Sequence, residues 1–190
     1  MDIISGIFSA FGLSASAGLN AYIPLLTVAM IARFTDLITL TDPWDTLESW
    51  WVIGALVVLS LIEFFADKIP AINHVNDAVQ TFVRPAAGAI VFASSAQVIS
   101  EANPIFSMII GLLVAGGVHA LKSAAIRPVV TATTGGIGNI AVSVFEDVVS
   151  TSLSIFAVII PILVGALVII MTAMVVWWLW RRANRLQAAR

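Results

Sequence analysis

Long runs of apolar residues constrain this chain more than any other feature of its sequence. A helix needs about 20 apolar residues to cross the hydrocarbon core of a bilayer, and several runs here reach or approach that length. Charged residues make up only 11% of the chain, whereas a soluble domain usually carries about 25%. The sequence therefore predicts an all-α integral membrane protein in which residues 1–190 form a single membrane domain.

Polar and small residues divide the apolar sequence into six predicted spans. They cover about 3–34, 51–65, 85–99, 105–130, 140–149 and 153–180. The first span is interrupted by GLSASAGLNAYIP, where small residues permit close helix packing and Pro24 removes a helical hydrogen bond. We therefore expect a broken, kinked or re-entrant helix there. Apolar residues at helical spacing over 75–82 predict a short interfacial helix before the third span.

The charged and aromatic residues near the ends of the spans predict the orientation. The sequence WWLWRR at 177–182 is typical of an aromatic belt with a basic anchor, and the tail 181–190 carries four arginines. We expect this tail in the cytoplasm, with the protein in the bacterial inner (plasma) membrane. An even number of spans then places the N-terminus in the cytoplasm too, and the acidic connector 35–50 outside. The net charge of −2 provides no footprint for nucleic acid.

One short pattern occurs twice in the chain. LSLIE at 59–63 and VSVFE at 142–146 each place a serine and a glutamate three residues apart in an apolar segment. Before each, a small-residue segment ends in a polar residue and is followed by a proline, as SAGLN before Pro24 and SAAIR before Pro128. Chance recurrence among apolar letters is one explanation. The other is a 3+3 inverted repeat with broken helices, which in transporters surrounds a site near the bilayer midplane. The two repeats would span about 3–100 and 105–180.

Ionisable residues inside apolar spans are costly to bury and usually face the interior of a helix bundle. The predicted substrate or ion pathway consists of Asn20, Glu63, His119, Arg127, Asn139 and Glu146. A secondary polar cluster is predicted from Asp67, Lys68, Arg84, Lys122 and Asp147. Glu63 and Asp67 are four residues apart, so they share one helix face.

Most of these polar groups allow a functional and a structural interpretation. Glu63 would bind a proton or cation, with His119 as a relay partner, or both would be held in internal pairs and hydrogen bonds. Arg127 would neutralise a glutamate or bind an anion. The segment TATTGGIGN at 131–139 would line a cavity or form a plain loop. Because no spacing typical of metal ligands is present, we expect neither a metal nor another cofactor.

Three strings in the chain resemble those of a known family. They are SASAGLNAYIPLL, EFFADKIPAINHVNDAVQTFVRPAAGA and HALKSAAIRPVVTATTGGIGN. The chain resembles a bacterial membrane family, domain of unknown function 4126, over about residues 5–150. The resemblance implies a small polytopic membrane protein, and it brings no reaction, substrate or site with it.

Three functions are compatible with these features. The first is a small inner-membrane transporter or channel-like carrier for an ion or small polar solute, coupled to protons through Glu63 or Glu146. A homodimer within the lipid bilayer is expected in that case, because six short spans leave little room for a closed pathway. The second is a structural or assembly protein without transport activity. The third is a membrane enzyme acting on a lipid-phase substrate, for which NHVND at 73–77 is the candidate motif; we favour the non-enzymatic functions.

Overall fold

Helices form the secondary structure of this protein, and no strand occurs among the described residues. The structure is a computed structural model that describes residues 3–96, 99, 101 and 103–188, apart from the side chains of 70–75, 183 and 186–188. The helices are α1 (Ile3–Leu19), α2 (Tyr22–Phe34), α3 (Trp50–Ala66), α4 (Pro70–Ser95), α5 (Pro104–Leu121), α6 (Arg127–Thr134), α7 (Gly138–Ile159) and α8 (Pro161–Ala188). A 3₁₀ turn, Trp44–Glu48, precedes α3, and a π turn, Lys122–Ile126, joins α5 to α6.

Three helical segments are long and apolar enough to cross a membrane. They are Pro104–Thr134, Gly138–Ile159 and Pro161–Arg182. Helices α1, α2 and α3 are shorter apolar helices. Large apolar side chains such as Trp51, Leu113 and Leu163 lie exposed on the outside of the bundle, as the lipid-facing surface of a membrane protein requires. The structure thus supports a helical membrane protein, while the count of six spans stays a prediction.

The predicted interruption of the first apolar run is confirmed at Asn20. Helix α1 ends one residue before it, and α2 begins two residues after it. The side-chain oxygen Oδ1 of Asn20 accepts hydrogen bonds from the backbone N–H groups of Tyr22 and Ile23, both at 3.1 Å. Pro24 follows in the first turn of α2, where its missing N–H needs no partner. The residues of the break therefore both end one helix and start the next.

The predicted boundary between an interfacial helix at 75–82 and a third span from residue 85 is not present. Helix α4 runs without interruption from Pro70 to Ser95 and contains Pro85. Gln80 and Arg84 are buried in the bundle, so one face of this helix carries polar side chains into the protein before its apolar half begins.

The predicted boundary between the last two spans, at 150–152, is wrong. Helix α7 continues to Ile159, and the chain turns at Ile160 before Pro161 starts α8. Ser150 lies in the predicted turn, yet it is fully buried against α1, as is Ser154 one helical turn later. The predicted turn at 100–104 lies partly outside the described residues.

Helix α1 lies at the centre of the bundle and packs closely against its neighbours. A side-chain carbon added at Gly12 would lie 2.7 Å from the Cβ atom of Ala157, and one added at Gly18 would lie 2.5 Å from the backbone oxygen of Ala115. Such contacts require glycine, as the small-residue spacing in this helix predicts. Because Gly12 meets Ala157 and Ser16 meets Ser150, α1 and α7 run antiparallel.

Candidate functional site

Ten ionisable side chains from the described residues are here called the ionic cluster: eight are connected by ion pairs and hydrogen bonds, and Lys68 and Asp147 form a separate pair that Asn20 contacts. Its members are Glu63, Asp67, Lys68, Asp77, Arg84, His119, Lys122, Arg127, Glu146 and Asp147. The exposed fraction of the side chain is 0% for Arg84 and 1% for Glu63, but 17% for Lys68 and 25% for Asp77. The cluster therefore has a closed deep end and a partly open rim.

Glu63 forms the deep end together with Arg84. Its Oε1 atom accepts hydrogen bonds from Nη2 of Arg84 at 2.9 Å and from Nε at 3.3 Å. Its Oε2 atom accepts from the backbone N–H of Ala21 at 3.2 Å. Ala21 lies in the break where α2 begins, and the N-terminus of a helix attracts negative charge. Glu63 thus links α3 to α4 and to the interruption after α1.

The π turn explains why two basic side chains reach the second repeated glutamate. In an α-helix, residues five apart point about 140° away from each other. A π turn instead bonds residue i to i+5, as the N–H of Arg127 does with the oxygen of Lys122. Both side chains therefore reach Glu146: Nζ of Lys122 lies 2.7 Å from its Oε2 atom, and Nη2 of Arg127 lies 3.5 Å from it.

The two ends of the broken helix bind charges of opposite sign. The N-terminus of α2 donates to the carboxylate of Glu63. At the C-terminus of α1, the backbone oxygen of Leu19 accepts from Nζ of Lys122 at 3.3 Å. Each partner matches the partial charge of the helix end that it contacts. Side chains of the protein itself therefore occupy the positions that a broken membrane helix offers to ions.

Asp67 lies just past the end of α3, where several cations surround it. Nη2 of Arg127 lies 3.3 Å from its Oδ2 atom, and Nη2 of Arg84 lies 3.6 Å from the same atom. Asn76 donates to its Oδ1 atom at 2.6 Å. Burial opposes ionisation, but the charges of Lys122, Arg84 and Arg127 and the hydrogen bond from Asn76 together hold the pKa of Asp67 below its ordinary value. Asp67 is therefore a stable anion at neutral pH.

His119 is held neutral by its two hydrogen-bond partners. Nη1 of Arg84 lies 3.2 Å from the Nδ1 atom of His119. Because a guanidinium group can only donate, Nδ1 is the acceptor. Oγ1 of Thr81 donates to the backbone oxygen of Asp77 at 2.8 Å and therefore accepts from Nε2–H of His119, at 3.2 Å. In this arrangement His119 contacts Arg84 and Thr81 and not the repeated glutamates.

At the rim, Asp147 joins the polar break in the first half of the chain to α7. Its Oδ1 atom accepts from Nδ2 of Asn20 at 3.1 Å, and its Oδ2 atom lies 3.0 Å from Nζ of Lys68. Asn20 thus caps α2 with its oxygen and binds the cluster with its nitrogen. The structure therefore brings this predicted pathway residue together with the charged ones.

Asn139 is the predicted pathway residue whose described side-chain bond is local. Its Nδ2 atom donates to Oγ1 of Thr131 at 2.8 Å. Gly135 and Gly136, with φ angles of 64° and 93°, turn the chain between α6 and α7. Thr134 accepts from the N–H of Gly138 at 3.0 Å, which caps the following helix. These contacts fit the loop interpretation of this segment, because they connect the loop to itself and its adjoining helices.

Some participating residues were not predicted from the sequence. Asp77 binds Arg127 through both carboxylate oxygens at 2.6 Å. The buried hydroxyl groups of Ser16, Ser150 and Ser154 meet between α1 and α7. The spacing of four residues between Ser150 and Ser154 is a helical signal, but a single sequence does not reveal the partner helix.

Among the residues whose side chains the structure describes, the charges of the ionic cluster do not balance. It contains five carboxyl groups and four lysine or arginine side chains, and His119 is neutral in its hydrogen-bonded form. Because the two helix ends contribute partial charges of opposite sign, they leave this difference unchanged. One negative charge in a largely buried site is costly. Uptake of one proton or one cation would neutralise it.

No group of three or more acidic or histidine side chains suited to a metal ion occurs in the described part of the chain.

Comparison with known proteins places the chain in a family without assigning it a function. No curated protein and no solved structure matches it. One family matches residues 7–182, which extends the resemblance seen in the three sequence strings to nearly the whole chain. The chain belongs to this family, which is described as a domain of unknown function, DUF4126.

Proposed function

We propose that this protein is a small membrane carrier for an ion or a small polar solute, coupled to protons through its ionic cluster. The observation that carries the proposal is the charge imbalance of the cluster, in which five carboxyl groups face four basic side chains. Binding of a proton or a cation would lower the cost of burying one uncompensated negative charge in such a site. The partly exposed rim at Lys68 and Asp77 gives that ion a way in.

The position of the cluster at a broken helix supports the same function. In transporters built from inverted repeats, interrupted helices bind substrate and coupling ions with their free ends. Here Glu63 and Lys122 occupy those ends. Protonation of Glu63 would weaken its pairing with Arg84 and free the N-terminus of α2 for an anionic group. A titration event would thereby change the affinity of the break for a solute.

The inverted repeat remains part of this proposal. Each repeated glutamate contacts the interruption in its own half of the chain: Glu63 binds Ala21, and Glu146 binds Lys122 and Arg127 at the π turn. We further propose an inner-membrane location with the C-terminal tail in the cytoplasm. Because α1 runs antiparallel to α7, whereas the first and fifth of six spans would run in the same direction, the predicted placement of both termini in the cytoplasm is not part of this proposal. The rim of the cluster would then face the cytoplasm, where Lys68 satisfies the positive-inside rule. A homodimer would shield helix α3, most of whose residues are exposed.

The test is proton and cation flux into liposomes that contain the purified protein. Wild type should conduct protons or a cation, whereas Glu63→Gln/Glu146→Gln should lose this flux while remaining folded. Glu48→Gln/Glu101→Gln is the matched control, because it removes two carboxylates that lie outside the cluster. Undiminished flux in the Glu63/Glu146 variant would refute coupling through these glutamates.

A structural or assembly role is the second candidate. It is favoured by the extent of internal pairing, since Glu63, Asp67 and Glu146 each contact at least one basic side chain. Substitutions in the cluster should then lower the amount of folded protein in the membrane, and wild-type liposomes should show no flux. Measuring protein level and flux on the same variants separates the two roles.

The enzymatic alternative has less support. Within NHVND, the side chains of 73–75 lie outside the described residues, while Asn76 and Asp77 both bind members of the ionic cluster. An open groove on the outside of α3 is lined by apolar residues: Val58, Leu61, Ile62, Phe65, Ala66 and Ile69. This lining suits a lipid chain but brings no acid, base or nucleophile to it.

A further inference from the structure

A group of three serine hydroxyls lies between α1 and α7, next to the ionic cluster, and is called here the serine triad. Oγ of Ser16 lies 2.8 Å from Oγ of Ser150 and 2.7 Å from Oγ of Ser154. All three residues are fully buried. In both contacts either oxygen can be the donor. The hydroxyl groups of Ser16 and Ser150 can also donate to the backbone oxygen of the other residue, at 2.8 and 3.3 Å, so each can change its acceptor by rotation.

The serine triad continues the polar face of α7 that begins in the ionic cluster. Ser143, Glu146, Ser150 and Ser154 recur at intervals of three or four residues on the buried side of this helix. The eleven residue-to-residue steps from Ser143 to Ser154 rise about 16 Å along the helix axis. Helix α7 is long and apolar enough to cross a membrane. A buried polar line of that length thus follows a large part of its path.

The triad adjoins the cluster on both helices. Ser16 on α1 precedes Asn20, in the break after this helix, by four residues, and Ser150 follows Asp147 by three residues on α7. One helical turn is about 5 Å, a gap that a single water molecule can bridge. Asn20 and Asp147 are themselves hydrogen-bonded at 3.1 Å. The hydroxyl groups therefore start where the partly exposed rim of the cluster ends.

A further buried hydroxyl lies beyond the triad. Ser9 precedes Ser16 by seven residues, which places both on the same face of α1. Ser9 is fully buried, and its Oγ atom has no hydrogen-bond partner among the described residues. A buried hydroxyl without a partner is costly, so this position suits a water molecule that continues the line of hydroxyls. The burial of Ser9 without a described partner does not depend on the contacts within the triad.

We propose that the serine triad is a proton relay that connects the ionic cluster to the opposite side of the membrane; this inference rests on the proposed proton coupling. A proton arriving from Asp147 through a bridging water binds Oγ of Ser150, whose own proton moves to Oγ of Ser16. The proton of Ser16 moves in turn to Oγ of Ser154, which releases its own proton to a water beyond it. Each hydroxyl gains one proton and loses one, so the triad carries no lasting charge. Rotation of the hydroxyl groups then restores the starting orientation.

The test is proton flux in liposomes for Ser150→Ala/Ser154→Ala. The matched control is Ser14→Ala, which removes a fully buried hydroxyl of α1 that donates to the backbone oxygen of Gly88 at 3.0 Å, away from the triad. The relay variant should fall to the flux of empty liposomes while the control keeps wild-type flux. Ser150→Thr/Ser154→Thr, which retains both hydroxyls, should recover flux. Elution volume and thermal unfolding of each variant establish that it is folded.

The outcomes separate this inference from the proposed function. Loss of flux in Glu63→Gln/Glu146→Gln but wild-type flux in Ser150→Ala/Ser154→Ala would overturn the relay and leave the carrier intact. Absence of proton flux in the wild type would overturn both. If the double serine variant does not fold, Ser154→Ala alone interrupts the same chain of hydrogen bonds and takes its place. Equal loss of flux in Ser14→Ala would show that the triad contributes to helix packing and not to proton transfer.

Discussion

Replacement of Arg84 by methionine tests the ionic cluster most directly. Arg84 is fully buried and binds Glu63 at 2.9 and 3.3 Å, Asp67 at 3.6 Å and His119 at 3.2 Å. Asp67 keeps Arg127 and Asn76 as partners when Arg84 is removed. Glu63 keeps the backbone N–H of Ala21 but has no other direct ion-pair partner among the described residues. The cost of the substitution should therefore fall mainly on Glu63.

Loss of one partner from a buried ion pair typically costs about 3–5 kcal/mol. We expect Arg84→Met to lower the free energy of unfolding by about that amount, because it also raises the charge imbalance of the cluster from one negative charge to two. Adding Glu63→Gln should restore part of the loss, since the second substitution removes the carboxylate left unpaired. The coupling energy between the two sites should be about 0.5–3 kcal/mol.

The assay is reversible unfolding of the purified protein in mixed micelles, followed by helical circular dichroism. Arg33→Met serves as the control, because Arg33 is exposed and its contacts within the described part of the chain are the backbone oxygen of Glu48, at 2.7 Å, and the face of Trp50. Its loss should cost about 0–1 kcal/mol. If Arg84→Met were no more destabilising than Arg33→Met, or if Glu63→Gln gave no recovery, the cluster would not be held by this pair.

Two further predictions concern packing and pH. Gly88→Val should prevent α4 and α5 from packing, because an added Cβ atom would lie 2.8 Å from the backbone oxygen of Gly111. The measurement is the yield of folded protein in detergent. Gly117→Val is the control and should leave that yield near wild type, because no atom lies within 4 Å of an added Cβ atom there. Because the pKa of Asp67 is lower in the folded protein, its contribution to stability is complete above the unfolded value of about 3.9 and is lost as the pH falls through the folded value. Asp67→Asn should therefore flatten the acid limb of a plot of melting temperature against pH, and an unchanged limb would contradict the assignment.

Much of the helical structure follows from local sequence. The apolar runs predict membrane helices, and Asn20 with Pro24 predicts the end of one helix and the start of another, because capping and a missing N–H act within a few residues. The ionisable residues of the cluster were also recognisable singly, since charges inside apolar spans are rare and face the protein interior. Nine of the ten cluster members were predicted from the sequence in this way.

The tertiary structure decided which of these residues meet. Asp77 lies in the segment that the sequence predicts as a short interfacial helix, yet it pairs with Arg127, fifty residues away. The sequence predicts Ser150 in a turn, but a hydroxyl group that finds a partner on an adjacent helix remains inside the membrane at little cost, and α1 supplies that partner in Ser16. The sequence alone determined that the chain would form interrupted apolar helices with charges inside them. The balance of those charges and the polar line beside them depend on helix packing, because both arise from contacts between residues far apart in the chain.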